Sequence, residues 1–273
     1  MPRSEISTAA GQQHKLILVE ILLRGMDVIY ILWLRQLKRY FRSRTRIIGS
    51  LGQPLLFLLA LGFGFGPIFQ RAGQGNYIQF VTPGVIAMSI LFMSVLSGIE
   101  IIWDRQFGFL KETLVAPVSR LEIMFGRTLG GATVATLQGI IVLLISLLAG
   151  FRPYSLMALP LAFLFMFLIS LLFTALGTAI ASVLKDMQGF QLIMNFMVMP
   201  LFFLSGALFP LSGLPKIIGV IASIDPLSYG VDGLRSTLSG ITHFGLGIDL
   251  VFLSIGIVIL LSIGSFLFSK IEV

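Results

Sequence analysis

The sequence predicts an all-α integral membrane protein. Six transmembrane helices are expected, with an N-terminal amphipathic interfacial helix, a cytoplasmic helical segment between spans two and three, and short re-entrant helices on the outer face. Three observations carry this. First, 56% of the 273 residues are hydrophobic and 11% are charged, whereas a soluble domain carries about 25% charged residues. The mean hydropathy is +1.00. Second, six charge-free windows meet or approach the roughly 20 apolar residues that cross a hydrocarbon core. Third, the basic residues are divided unevenly. With the N-terminus inside, fifteen Lys and Arg fall inside and four outside, so both termini are expected in the cytoplasm.

Residues 1–46 are expected to form a cytoplasmic tail and the interfacial helix. Val28–Leu34 is too short for a signal core and runs directly into Arg35 without a small-residue cleavage site. From Asp27 to Arg46, Arg35, Lys38, Arg39, Arg42 and Arg46 recur at helical spacing on one face, and Tyr30, Leu34, Leu37 and Phe41 on another. This is the pattern of a helix lying in the inner interface. A solvated basic tail is the alternative; Trp33, Tyr40 and Phe41 favour the helix, as headgroup-level anchors.

Residues 47–273 carry the span windows: Ile47–Phe69, Ile78–Ile99, Thr128–Phe151, Tyr154–Leu184, Phe190–Phe209 and Leu250–Ser269. Their apolar residues run all round the helix, as in spans and not surface helices. Pro54, Pro83, Pro160 and Pro200 lie in or near them, which membrane helices tolerate when neighbours satisfy the freed carbonyls. Between spans two and three, residues 104–127 form a charged cytoplasmic region with interleaved apolar side chains. Before the last span, residues 209–245 form an outer region too apolar for a solvated loop and too broken by Pro210, Pro215 and Pro226 for a span. Pro215 can open a short helix over Lys216–Ser223, Asp225-Pro226 can close it, and a second short helix follows. The alternative is a loop packed on the helix ends.

Several chemistries are excluded or weak. No G-x-x-x-x-G-K-[ST] phosphate loop and no G-x-S-x-G elbow occurs. The glycines of Leu61–Pro67 close an apolar span and do not join a strand to a helix. The two His, His14 and His243, lie on opposite sides of the expected membrane, and there is no Cys, so a His- or thiolate-based metal site is not expected. The net charge of +7 reflects orientation in the membrane, not nucleic-acid binding. Gly126 and Gly130 form a GxxxG, a common and weak helix-packing signal. An acid inside the membrane is a functional candidate by default. Glu100, beside Asp104 and Arg105, is the candidate for gating or coupling, with an interfacial hydrogen-bond partner as the plainer role. Asp249 reads as an end residue at the outer interface. The scarcity of buried acids disfavours an ion- or proton-coupled transporter.

The stretch WDRQFGFLKETLVAPVSRLEIMFGR, Trp103 to Arg127, resembles the coupling-helix signature of the ABC-2 export permeases: a charged pair, a Gly, a Leu-Glu-like pair, then small residue-Pro-Val-Ser-Arg. Lys-Glu-Thr-Leu stands where many relatives have Leu-Glu. The segment IDPLSYGVDGLR, Ile224 to Arg235, also resembles the family's outer segment before the last span. The resemblance implies the membrane subunit of an ATP-driven exporter in the inner (plasma) membrane. Its substrate would be hydrophobic or amphipathic: a drug, an antibiotic or a lipid-linked molecule. Two separate ATPase subunits and a second permease copy or paralogue would be its partners, besides membrane lipid. No cofactor would be held by this chain; ATP and Mg would sit on the partner ATPase. Arg105, Gly108, Lys111, Glu112, Pro117 and Arg120 would couple to the ATPase. A path through spans two and five would be lined by Phe92, Asn195, Phe196, Phe202 and Phe203, although lipid or helix packing is the plainer account of each Phe, and Asn195, a polar amide in mid-span, is the stronger candidate. Pro215, Asp225 and Pro226 would shape the outer gate. A polysaccharide or lipo-oligosaccharide exporter permease is an alternative within this class, and a non-transporting membrane anchor or assembly protein one outside it.

Overall fold

A computed structural model describes residues 25–71, 76–110, 115, 118–211 and 215–271. Helix α1 covers residues 25–42. A break at Ser43 leads into α2, Arg44–Arg71, the first span. Asn76 caps α3, Tyr77–Leu96, by accepting from the Ile78 amide at 2.9 Å. After a turn at Ser97-Gly98 the chain continues as α4, Ile99–Gln106, and the two make span two. A capping box opens α5, Arg120–Leu148: the Ser119 hydroxyl accepts from Glu122 N, and Glu122 accepts from Ser119 N. Pro160 stands in the first turn of α6, Leu159–Val183, where its missing N–H costs nothing.

Span five is built in pieces. Asp186 caps α7, Met187–Ile193; a π turn covers Met194–Val198; α8, Met199–Leu204, completes it. The cause is local: Pro200 has no N–H to give and its ring crowds the carbonyl four residues back, at Phe196, so the helix widens there. Two outer helices follow, α9 Lys216–Ile224 and α10 Pro226–Ser239, bent by 87° at Asp225. The last span is α11, Leu246–Ser269. No strand occurs among the described residues, and the six spans are those expected.

The boundaries differ from expectation most at two ends and two starts: span two runs on past Ile99 to Gln106, span five stops at Leu204 and not Phe209, and the starts of spans three and six move. Span three begins at Arg120 and not Thr128, and span six at Leu246 and not Leu250. In both cases charged residues (Glu122 and Arg127; Asp249) sit within the first turns, where a search for charge-free windows stops short. Of the residues in each apolar window, 78% are buried in span two but only 17% in spans one and six and 22% in span five. Span two is therefore the central post. Spans one, five and six turn most of their apolar surface outward, toward lipid or another chain.

Two glycine seams hold helices in close contact. A Cβ at Gly98 would strike the Gly177 carbonyl, and one at Gly177 would lie 2.6 Å from the Val95 carbonyl, so the backbones of spans two and four touch. The GxxxG of span three seats α1. Side chains at Gly126 and Gly130 would meet Leu32 Cβ at 2.9 Å and Gln36 Cβ at 2.7 Å. The weak packing signal thus has a definite partner, and the amphipathic helix is docked along span three. Trp33 Nε1 donates to Thr133 Oγ1 at 3.0 Å, and Tyr40 Oη to Gln138 Oε1 at 2.8 Å. Burial raises the pKa of the Tyr40 hydroxyl above its ordinary value, with Arg46 pulling the other way, so it stays a donor.

Candidate functional site: a charge junction at one end of the bundle

Helix α4 places Glu100 and Asp104 four residues apart, on one face. Helix α1 does the same for Arg35 and Arg39. Where these faces meet, Glu100 accepts from Arg46 Nη1 at 2.6 Å and from Arg39 Nη1 at 3.3 Å. Asp104 pairs with Arg127 of span three, and Arg35 stands at 3.8 Å from its other oxygen. The carboxylates are buried, as is Arg127, while Arg35 and Arg39 are about half open to solvent. Burying two carboxylates costs several kcal/mol each unless they are paired and hydrogen-bonded, and here each has two guanidinium partners.

The remaining polar side chains of α4 reach other spans. Trp103 Nε1 approaches Met187 Sδ at 3.0 Å, at the foot of span five. Arg105 donates to the carbonyls of Leu184 (2.9 Å) and Ser182 (3.2 Å), closing the C-terminal end of span four, where a cation is favoured by the helix dipole. Span six is closed in the same way by Arg120, which donates to Ser269 O and Ile271 O. One short helix thus holds spans one, three, four and five at one end of the bundle. It ends at Gln106, and Gly108, two residues on, has a φ of +81°, a conformation that glycine adopts freely and other residues resist. The turn lies within the charged region of residues 104–127.

The opposite end of the bundle is organised by acids. Asp225 caps α10 through the Leu227 amide at 2.8 Å, and Pro215 and Pro226 stand at the openings of α9 and α10 as expected. Asp232 collects the amides of His243 (2.7 Å) and Phe244 (2.7 Å), fixing the turn into span six. Arg235 is buried, donates to Gly206 O at 2.8 Å and lies 4.1 Å over the Phe80 ring. Asp249 is corrected: it is fully buried in the first turn of span six, with neither oxygen hydrogen-bonded among the described residues. The charge-free window had excluded it, so its burial went unseen.

The chain matches the ABC-2 type transporter family over residues 27–239. The chain belongs to the ABC-2 type transporter family. Among its relatives, the putative transport permease ycf38 of Cyanophora paradoxa is 32% identical over 73% of this chain and 69% of its own length. That of Porphyra purpurea is 30% identical over 71% and 68%. Nodulation protein J of Rhizobium leguminosarum bv. viciae is 28% identical over 71% and 75%. The protein is a multi-pass membrane transporter permease.

For an ABC-2 permease, the candidate residues fall into three groups. Arg105, Gly108 and Arg120 are placed as above, the two arginines engaged with carbonyls at span ends; Lys111, Glu112 and Pro117 lie outside the described residues. The suggested path residues do not converge within one chain. Asn195 and Phe196 are exposed on the π turn and Phe203 is 43% exposed. Phe202 is buried against Phe57 at 5.9 Å. Phe92 lines a separate cleft of about 380 Å³ between α2 and α3. Glu100 is the member of the third group whose partners were not foreseen. Arg39 and Arg46 had been assigned to a basic face, and pairing across 61 and 54 residues leaves no trace in local spacing. The outer helix α9 also differs from a packed plug: Ala222 is buried, but Ile217, Val220 and Ile224 are exposed.

Proposed function

We propose that this chain is the permease subunit of an ATP-driven exporter that moves a hydrophobic or amphipathic substrate out of the cytoplasm. Two separate ATPase subunits dock on the segment around residues 105–120, and a second permease copy completes the path. The observation that carries this reading is the α4 junction. A helix tied by Glu100, Asp104, Trp103 and Arg105 to four spans and ending at the segment in question transmits a push at that segment to the bundle. The bundle has the two arrangements that a ligand-driven switch requires, one open inward and one outward. ATP and Mg act on the partner, which fits the missing phosphate loop. Asn195, Phe196 and Phe203 then face the second copy, where their exposure on a single chain is resolved.

Charge reversal at Glu112 tests the dock. Glu112→Lys should leave membrane insertion intact, abolish substrate-stimulated ATP hydrolysis in the assembled complex and stop transport. Wild-type stimulation and transport in that variant would reject the docking assignment. Arg120→Glu is a poorer probe, since it also strips the C-terminal carbonyls of span six.

The orientation, with both termini cytoplasmic, is tested separately. The chain has no Cys, so single cysteines report cleanly. Those at Gln74 and His243 should react with an impermeant maleimide from outside, and one at Met187 should not. Outside labelling at position 187 would invert the arrangement.

A further inference from the structure

A groove of about 1130 Å³ runs between α1 and the start of span one and is rimmed by Phe109. Five cations line it: Arg35, Lys38, Arg39, Arg42 and Arg44. No acidic side chain does. Counting Arg46 and Arg127 as well, seven basic residues of this corner share two acids, Glu100 and Asp104, among the described residues. Arg35 and Arg39 touch those acids from the groove wall while remaining 45% and 40% exposed. Lys38, Arg42 and Arg44 have no ion pair among the described residues, and all three are exposed. A concentration of like charge this dense costs folding free energy unless an anion joins it.

We infer that this groove binds the phosphate headgroup of an anionic phospholipid of the inner leaflet. Charge sets the sign of the ligand. The position of the groove sets its source. One wall is Arg44 and Thr45, the first residues of span one, so the site lies where the hydrocarbon begins. The other wall contributes Ile31 and Leu34 between the cations, an apolar footing for acyl chains that a soluble phosphate does not need. A lipid presents both features at that depth, with roughly a kcal/mol of attraction for each basic residue near an anionic surface. The site is independent of the export reading and goes beyond it. Where that reading holds, Phe109 at the rim puts the headgroup beside the docking segment.

The full-length chain in nanodiscs gives the test, with Trp33 on α1 as one of its two tryptophans. Phosphatidylglycerol with brominated acyl chains should quench tryptophan fluorescence at about tenfold lower mole fraction than brominated phosphatidylcholine. The Lys38→Gln/Arg42→Gln/Arg44→Gln variant should bring the two lipids to within about twofold, and so should about 1 M salt on the wild type, where screening shortens to about 3 Å. Equal quenching by the two lipids overturns the inference, as does a preference that survives both the triple substitution and the salt. If the variant does not insert, the salt series alone decides. Loss of the preference on adding millimolar glycerol phosphate assigns the groove to a soluble phosphate and overturns the lipid assignment.

Discussion

Replacing Asp104 with alanine should destabilise the folded chain by about 3–5 kcal/mol, the cost of leaving one member of a buried ion pair alone. The residue left behind is Arg127, 5% exposed, with one guanidinium nitrogen already lacking a partner. Arg35 would then repel it instead of sharing its carboxylate. The double variant Asp104→Ala/Arg127→Met should recover most of the loss, because it removes the orphaned charge together with its partner. Arg35→Ala should cost at most about 1 kcal/mol, its side chain being 45% exposed. Equilibrium unfolding in mixed micelles measures these three and the Arg127→Met single, which completes the cycle. A double variant as unstable as the sum of its singles would show that the two residues do not act as a pair.

The second large effect belongs to the seam between spans two and four. Gly177→Val places two methyl groups against the Val95 backbone, which has no rotamer with which to retreat. Overpacking of this kind costs about 3 kcal/mol, and the variant should lose its folded monodisperse peak on detergent size exclusion. Gly219→Ala, in exposed α9 with nothing within 4 Å of the added carbon, should instead gain about 0.5–1 kcal/mol from helix propensity. Opposite signs in thermal unfolding are the expected result. Gains at both positions would mean that propensity, and not contact, governs these glycines, and a loss at Gly219 would mean that α9 packs against a surface that the single chain does not supply.

What could be read from the sequence was what is periodic or punctuated. Six apolar runs are visible because hydrocarbon imposes one length and one chemistry on every crossing. The break between α9 and α10 is visible because Asp225-Pro226 must end one helix and open the next. Partnerships across the bundle were not visible. Arg39 and Arg46 read as a basic face since nothing local shows that Glu100 arrives beside them. Asp249 read as an end residue since burial is a property of neighbours. Pro200 was noticed as a proline within a span, but the widened turn at Met194–Val198 depends on how the freed carbonyls are shared, which residue type alone does not specify. Arg105 and Arg120 were assigned to coupling through the family resemblance; the bonds that they make close the ends of spans four and six.

The arginines of the junction serve twice, at different moments in the life of the chain. During synthesis Arg35, Arg39 and Arg46 emerge well before Glu100 and Asp104, their partners in the folded bundle. In that interval they are bare cations, and bare cations near a first span are the charges that bias how a nascent chain inserts. Only when span two has been threaded do the acids arrive and take up the same charges as structure. Topogenesis therefore reads these guanidinium groups before folding conceals them, and the order of residues along the chain schedules the handover.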